Sequence, residues 1–402
     1  AAVAAGEPLG RLHGVPCTVK ENIDVEGTPT TQGVRALSEA IAPIDAPSAS
    51  RMRAAGAIPF ARTNLPDLGL RVHTDSDLHG LTRNPWNRDV TAGGSSGGEG
   101  SAIASGMSPL GLGNDIGGSV RNPAHCCGIA SIKPSAGVVP MATAVPPVDI
   151  PLTSQLMVVE GPMARRVADV RAALDVVGGP DLRDPRSLPV TLLDAAPGER
   201  LRIAVMADPP GGATDPGVIA AIRSVADRLA DAGHEIVEAD PPDLEQVVEL
   251  WGHLMRADAG AAKELLTMVM GEGGTEFLER MDAESPELAS PLVVHTERYR
   301  LMREWSEYFV EQPVLLAPVW SQPPFEHGAD LTMGRHRFME LIRPITPANV
   351  LGLPAAVTPA GLADGLPVGV QVIGDRFTDL RCLTVAEEIE SMVGTLTPID
   401  PR

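Results

Sequence analysis

Long apolar runs are missing from this chain of 402 residues: no stretch reaches the roughly 18 consecutive apolar residues of a membrane-spanning helix, so no membrane partner is expected. Cysteine is scarce, with only Cys17, Cys126, Cys127 and Cys382. The adjacent pair cannot easily bridge to itself, and no CxxC or Cys/His spacing is present. The nine histidines are scattered without an HExxH pattern, so a metal site is not expected either. Positive charge is also in deficit. A formal net charge of −20 excludes the basic footprint that nucleic-acid phosphates require. Free buried thiols fit a reducing compartment, and with no signal-peptide pattern at Ala1-Ala2-Val3 a cytoplasmic location is expected.

The most informative shortage is lysine. Lys20, Lys133 and Lys263 are the only three among 32 basic residues, the rest being arginine. Lysine can give up its proton when buried and arginine effectively cannot, so a chain that otherwise chooses arginine marks its lysines as candidates for chemistry.

Against these absences stands a glycine-rich segment at residues 93–121, GGSSGGEGSAIASGMSPLGLGNDIGGSVR, which carries the glycine-flanked serines Ser95 and Ser119. Glycines beside a serine let backbone amides approach a ligand closely. No histidine is placed to serve either serine as in a G-x-S-x-G elbow. The segment also lacks the lysine of a phosphate-binding P-loop and the GxGxxG spacing, which disfavours a nucleotide-binding reading.

The flanking pattern is α/β. A strand is expected over residues 15–19 with Lys20 at its end, a helix over 48–55, and a strand over 57–61. Residues 63–88 read as loop, with Trp86 the one aromatic near the serines in sequence. A short helix over 101–105, a strand over 110–112 and a helix over 165–177 follow. Residues 201–206, 215–232 and 235–237 read as a β-α-β unit, its helix burying Val218, Ile222, Val225 and Leu229. Residues 243–310 turn helical and rich in Met, Trp and Phe, a wall suited to an apolar pocket. Strands in PVLLAPVW, LPAAVTPAGL and LPVGVQVIG then precede a final helix over 379–393.

Three segments, PLGRLHGVPCTVKENID, TRNPWNRDVTAGGSSGGEGSAIASGMSPLGLGNDIGGSVRNPAHCCGIASIKPS and PANVLGLPAAVTPAGLADGLPVGVQVIG, together resemble the amidase signature hydrolases, in order and over most of the chain. The resemblance implies one amidase domain over 1–402, with a large mixed β-sheet flanked by helices on both faces. Its signature core would span 1–200, the pocket-wall helices 243–310, and the returning strands and helix 313–402. It implies a Ser–cis-Ser–Lys triad in which Ser119 is the nucleophile, Ser95, preceded by a cis peptide, relays the proton, and Lys20 is the base. The backbone amides of Ile116, Gly117, Gly118 and Ser119 would form the oxyanion hole. Val72, His73 and Thr74 occupy a stretch that lines the pocket in many members. Asn114 stands where the family usually has Thr, and Ser131 replaces a common glycine. Lys133 is expected to be structural, as is an Asp115–Arg121 ion pair.

The chemistry is consistent with the residues. Serine is a poor nucleophile until a base takes its proton, and a lysine in water is already protonated. Buried against an apolar strand, Lys20 would lose its charge and could accept a proton through the Ser95 hydroxyl. The expected activity is hydrolysis of linear amides through a Ser119 acyl-enzyme, without metal or cofactor. Family members also cleave esters and carbamates, which leaves a urethane-cleaving variant open. The alternative is the glutamine-hydrolysing component of an amidotransferase that serves tRNA amidation. The expected partner is a small apolar or aryl amide or carbamate, taken by a monomer or homodimer.

Overall fold

The apolar patterning resolves into ten strands of one sheet in the computed structural model, which describes residues 2–6, 8–147, 149–283 and 285–396. In chain order they are β1 (Pro16–Lys20), β2 (Ile58–Thr63), β3 (Leu110–Asp115), β4 (Ala130–Lys133), β5 (Val159–Ala164), β6 (Arg202–Val205), β7 (Glu235–Glu238), β8 (Val314–Pro318), β9 (Ala355–Ala363) and β10 (Leu366–Ile373). Their order across the sheet is β2-β1-β3-β5-β4-β9-β10-β8-β6-β7. The three strands at each edge run parallel, while the pairings between these groups are antiparallel, so the sheet is mixed.

Strand alternation sends successive residues to two apolar layers. In β8, Val314 and Leu316 enter one core, and Leu315 and Ala317 the other. The main helices are α1 (Pro47–Ala54), α2 (Gly97–Ala104), α3 (Arg121–Cys127), α4 (Val167–Val177), α5 (Pro216–Asp231), α6 (Leu244–Ala261), α7 (Lys263–Val269), α8 (Glu272–Ala283), α9 (Pro291–Glu311), α10 (Arg335–Ile342) and α11 (Asp379–Val393). Helices α4, α5 and α11 cover one face, and α2, α3, α6, α9 and α10 contribute to the core on the other. Helices on both faces of a mixed sheet are the architecture expected from the resemblance. In α5, Val218, Ile222, Val225 and Leu229 form the buried stripe, and Asp215 caps the helix by accepting the Gly217 amide at 2.8 Å. Among the described residues no helix is long and apolar enough to cross a membrane.

Several boundaries differ from expectation in ways that build the site. Helix α2 starts at Gly97 rather than 101, because the glycine-rich GGEG is its first turn and packs against neighbouring backbone. Strand β3 continues past 112 to Asp115 and so delivers Asn114 and Asp115. Helix α3 and strands β4 and β5 had no strong periodic signal: α3 reads RNPAHCC, and β5 reads VEGPMA and carries both Gly and Pro.

Candidate active site

Strand β1 carries Lys20 into the protein with no exposed surface. Its Nζ lies 2.7 Å from Ser95 Oγ and 2.7 Å from Asn114 Oδ1. Burial pushes the amine down to about 7, while the carboxylates of Asp115 and Glu99 pull it back up. Ser95 follows a cis peptide after Gly94. Its loop is pinned by Asn122 Oδ1, which accepts the Gly94 amide at 3.0 Å, and by Thr74 Oγ1, which donates to the Gly93 carbonyl at 2.9 Å.

Ser119 sits between β3 and α3, and the Ser96 amide donates to its carbonyl at 3.1 Å, tying the two serine segments together. The turn is organised by Asp115. Its Oδ1 accepts the Gly118 amide at 2.8 Å, and its Oδ2 accepts the Val120 amide at 3.1 Å. Arg121 holds the same carboxylate through Nε and Nη2, each at 3.1 Å. Burial alone would push Asp115 up, but the Arg121 guanidinium and its hydrogen bonds keep it well below the usual carboxylate range. Arg121 reaches onward to the Ile345 carbonyl at 2.9 Å, Gln371 Oε1 at 3.0 Å and Asn349 Oδ1 at 2.6 Å. The expected Asp115–Arg121 pair is therefore a fully buried hub joining the serine turn to the C-terminal strands. Gly118, at φ +97°, also needs its lack of a side chain, because a Cβ there would lie 2.1 Å from Ile345 Cδ1.

Ser95, Ser119 and Asn114 open on a cavity of about 370 Å³. Its apolar wall includes Trp251 and Met255 of α6, Phe277 of α8, and Phe338 and Met339 of α10. Phe277 and Phe338 meet edge to face at 5.7 Å. Trp251 donates from Nε1 to the Ile116 carbonyl at 3.1 Å and lies against Gly117, where a Cβ would come within 2.8 Å of the indole. The aromatic beside the serines is thus Trp251. Trp86 instead ties its indole nitrogen to the Cys127 carbonyl at 2.9 Å.

Three sequence expectations need correction. The Gly118 amide is committed to Asp115 and leaves the set of free oxyanion donors. His73 does not line the cavity: it is buried, its Nδ1 meets Thr91 Oγ1 at 2.9 Å, and burial lowers it to about 4, so it is neutral. Thr74 also turns away, because its hydroxyl braces the Gly93 and Gly97 backbone. Val72 does line the cavity. Lys133 is buried, lies outside the cavity lining and donates to the Pro134 carbonyl at 2.7 Å; burial pushes it down to about 7.

Sequence reasoning missed Asn114 as a Lys20 partner, Arg71, Glu99 and Glu160. Arg71 lines the cavity, held by Asp330 through Nε at 2.8 Å and Nη2 at 2.9 Å. Glu160 also lines it, opposite Asn114 in the β3–β5 register, and burial pushes its carboxyl up to about 8. The only signal for the last two was a carboxylate inside an otherwise apolar or small-residue run. Among the described residues no group of three or more His, Cys, Asp or Glu side chains could hold a metal ion.

Among known proteins, the family model described as Amidase matches residues 1–383. An indoleacetamide hydrolase of Bradyrhizobium diazoefficiens is 40% identical over 400 residues, covering 98% of this chain and 76% of that protein. An acylamidase of Rhodococcus erythropolis is 32% identical over 408 residues, covering 96% and 83%. The glutamyl-tRNA(Gln) amidotransferase component of Salinispora arenicola is 31% identical over 432 residues, covering 98% and 87%. The structure of a bacterial aryl acylamidase superimposes with a TM-score of 0.82 at 27% identity, covering 97% of this chain and 84% of that one.

The hub makes a direct prediction. Arg121→Ala leaves the Asp115 carboxylate buried without its cation, and should cost about 3–5 kcal/mol in urea-induced unfolding. A loss under about 1 kcal/mol would show that the pair does not hold the turn.

Proposed function

This chain belongs to the amidase signature family, whose members hydrolyse amide C–N bonds, and from that premise we propose that Ser119, Ser95 and Lys20 form its catalytic triad. The observation that carries the reading is the buried Lys20 amine 2.7 Å from the Ser95 hydroxyl, with Ser119 in the same cavity.

In this reading Ser119 Oγ attacks the amide carbon while its proton passes to Ser95, and Ser95 passes its own to Lys20 Nζ. The developing oxyanion is met by the backbone amides of Ile116, Gly117 and Ser119, each such donor contributing about 3–4 kcal/mol in related sites. Collapse breaks the C–N bond as the Lys20 proton returns through Ser95 to the leaving nitrogen. Water then attacks the acyl-enzyme, releasing the acid and restoring Ser119. No step calls on a metal or an organic cofactor.

Trp251, Phe277 and Phe338 support an aryl or arylalkyl carboxamide as substrate, in line with the names of the indoleacetamide and aryl acylamidase relatives. A glutamine-hydrolysing role would present a polar side chain to this aromatic wall, so the apolar reading is favoured. Esters and carbamates of similar shape could enter the same acyl-enzyme route. All four cysteines are free and buried, which supports work in a reducing compartment such as the cytoplasm.

A fluorophosphonate should label the enzyme on Ser119, and Ser119→Ala should abolish both labelling and hydrolysis, the latter by on the order of 10⁴-fold. Labelling that survives Ser119→Ala would remove it as nucleophile. Because the base must be neutral to accept a proton, kcat/KM should fall as pH drops through an acid limb near 7, the value to which burial lowers Lys20. Across a panel of aliphatic, arylalkyl and anilide substrates with glutamine included, arylalkyl amides should be preferred, and Phe277→Ala should cut that preference on the order of tenfold. A panel led by glutamine would overturn the substrate assignment.

A further inference from the structure

Among the described residues, two groups that would carry opposite charges when ionised lie buried on adjoining elements without an ion-pair partner of their own. Lys20 is 0% exposed and its Nζ hydrogen-bonds only to neutral atoms, on Ser95 and Asn114. Glu99, in the first turn of α2, is also 0% exposed, and its carboxylate is met only by hydroxyls. Thr18 donates to Oε2, and Thr63 donates to Oε1 at 2.8 Å.

The framework sets the two groups on one side of β1. Thr18 and Lys20 are two residues apart on a strand and project to the same face. Thr63 is the register partner of Lys20 on β2, so the hydroxyls that hold Glu99 flank the lysine. Gly111, the register partner of Thr18 on β3, completes the niche: a Cβ there would lie 2.1 Å from Glu99 Oε2. Three strands and the turn that follows Ser95 are shaped around this carboxylate. Holding an unpaired carboxylate in such a niche is costly, and the two hydroxyls offset only part of that cost.

The other charges around the pair are already committed. Asp115, on β3, also acts on Lys20, but Arg121 takes up its charge. Arg62, on β2, also acts on Glu99, though less than Lys20 does, and its guanidinium is fixed by hydrogen bonds to the carbonyls of Val19, Lys20, Ile23 and Pro29. The Cys17 thiol, on β1, is pushed up to about 12 by burial and stays neutral.

We propose that Glu99 is a positioning residue whose carboxylate is the counter-charge for the ammonium formed when Lys20 receives the Ser119 proton. The proposal rests on the reading of Lys20 as base. In that step the Ser119 O–H bond breaks, Ser95 gains that proton as it gives up its own, and a new N–H bond forms on Lys20. Two protons shift one place each, for a net transfer of one proton from Ser119 to Lys20; Lys20 goes from neutral to positive, and the Glu99 carboxylate neither gains nor gives a proton in the step. Burial pushes Glu99 up to about 7, while the Thr18 and Thr63 hydroxyls and the Lys20 charge oppose it.

The test is the pH profile of Glu99→Gln, which keeps the shape of the side chain and its capacity to bond both hydroxyls. A carboxylate stabilises the neighbouring ammonium, so removing it lowers the proton affinity of Lys20. The acid limb of kcat/KM should move to lower pH by on the order of one unit. The plateau kcat should fall on the order of tenfold, the equivalent of that one unit, because the forming ammonium loses its counter-charge. Thr63→Val, which removes one donor to the carboxylate, should move the limb in the same direction by less. A folded Glu99→Gln enzyme with an unmoved or raised limb overturns the proposal. If that variant does not fold, an unmoved limb in Thr63→Val overturns it instead. Lys20→Ala separates the two levels: if it keeps the wild-type limb, the base assignment falls and this proposal with it. If it is inactive while Glu99→Gln leaves the limb in place, Glu99 alone is removed.

Discussion

An amine sealed from water cannot keep its charge unless the protein supplies a partner, and Lys20 has been given two neutral ones. Ser95 Oγ and Asn114 Oδ1, each at 2.7 Å, hold the nitrogen at a fixed point without an ion pair. Desolvation outweighs the pull of the Asp115 and Glu99 carboxylates and brings it down to about 7. The proposed chemistry depends on that balance. A closer carboxylate would keep the amine protonated, and a more open strand would let water do the same. Arginine in its place could not give up its proton at all.

The surrounding fold can be understood as a means of holding this balance. β1 is an inner strand beside β2 and β3, so its backbone is fixed from both sides while Cys17 and Val19 enter apolar clusters. The adjoining β3 supplies Asn114 to Lys20 and, one residue on, Asp115 to the serine turn. Arg121 then ties that turn to Ile345, Asn349 and Gln371, more than 200 residues away in the chain. Trp251 closes the arrangement from the substrate side, since one indole both walls the cavity and fixes the Ile116 carbonyl. Pocket shape and the placement of the proposed oxyanion donors are coupled through that side chain.

Much of this was legible in the sequence where the signal is local. The rarity of lysine, the strand that ends at Lys20 and the glycine-flanked serines pointed to the same three residues. The helix Asp379–Val393 and the buried stripe of α5 follow from periodicity alone. What escaped was decided by distant contacts. Glu99 stands in a helix of small side chains, and nothing in the sequence shows that Thr18, Thr63 and Gly111 are brought around it. His73 and Thr74 were assigned to the pocket by their place in the chain, but their side chains serve Thr91 and the Gly93–Gly97 backbone. The Gly118 amide looked available because nothing in the motif reveals that the carboxylate three residues earlier folds back onto it.

The central claim concerns one amine, and the scarcity of lysine makes that amine observable. With ¹⁵N-labelled lysine only three side chains titrate, and substitutions at Lys133 and Lys263 assign the Lys20 resonance. Lys20 Nζ should titrate near pH 7, more than three units below an ordinary lysine. A Lys20 resonance that titrates near 10.5 would mean the amine is charged at neutral pH, and would contradict its role as the base.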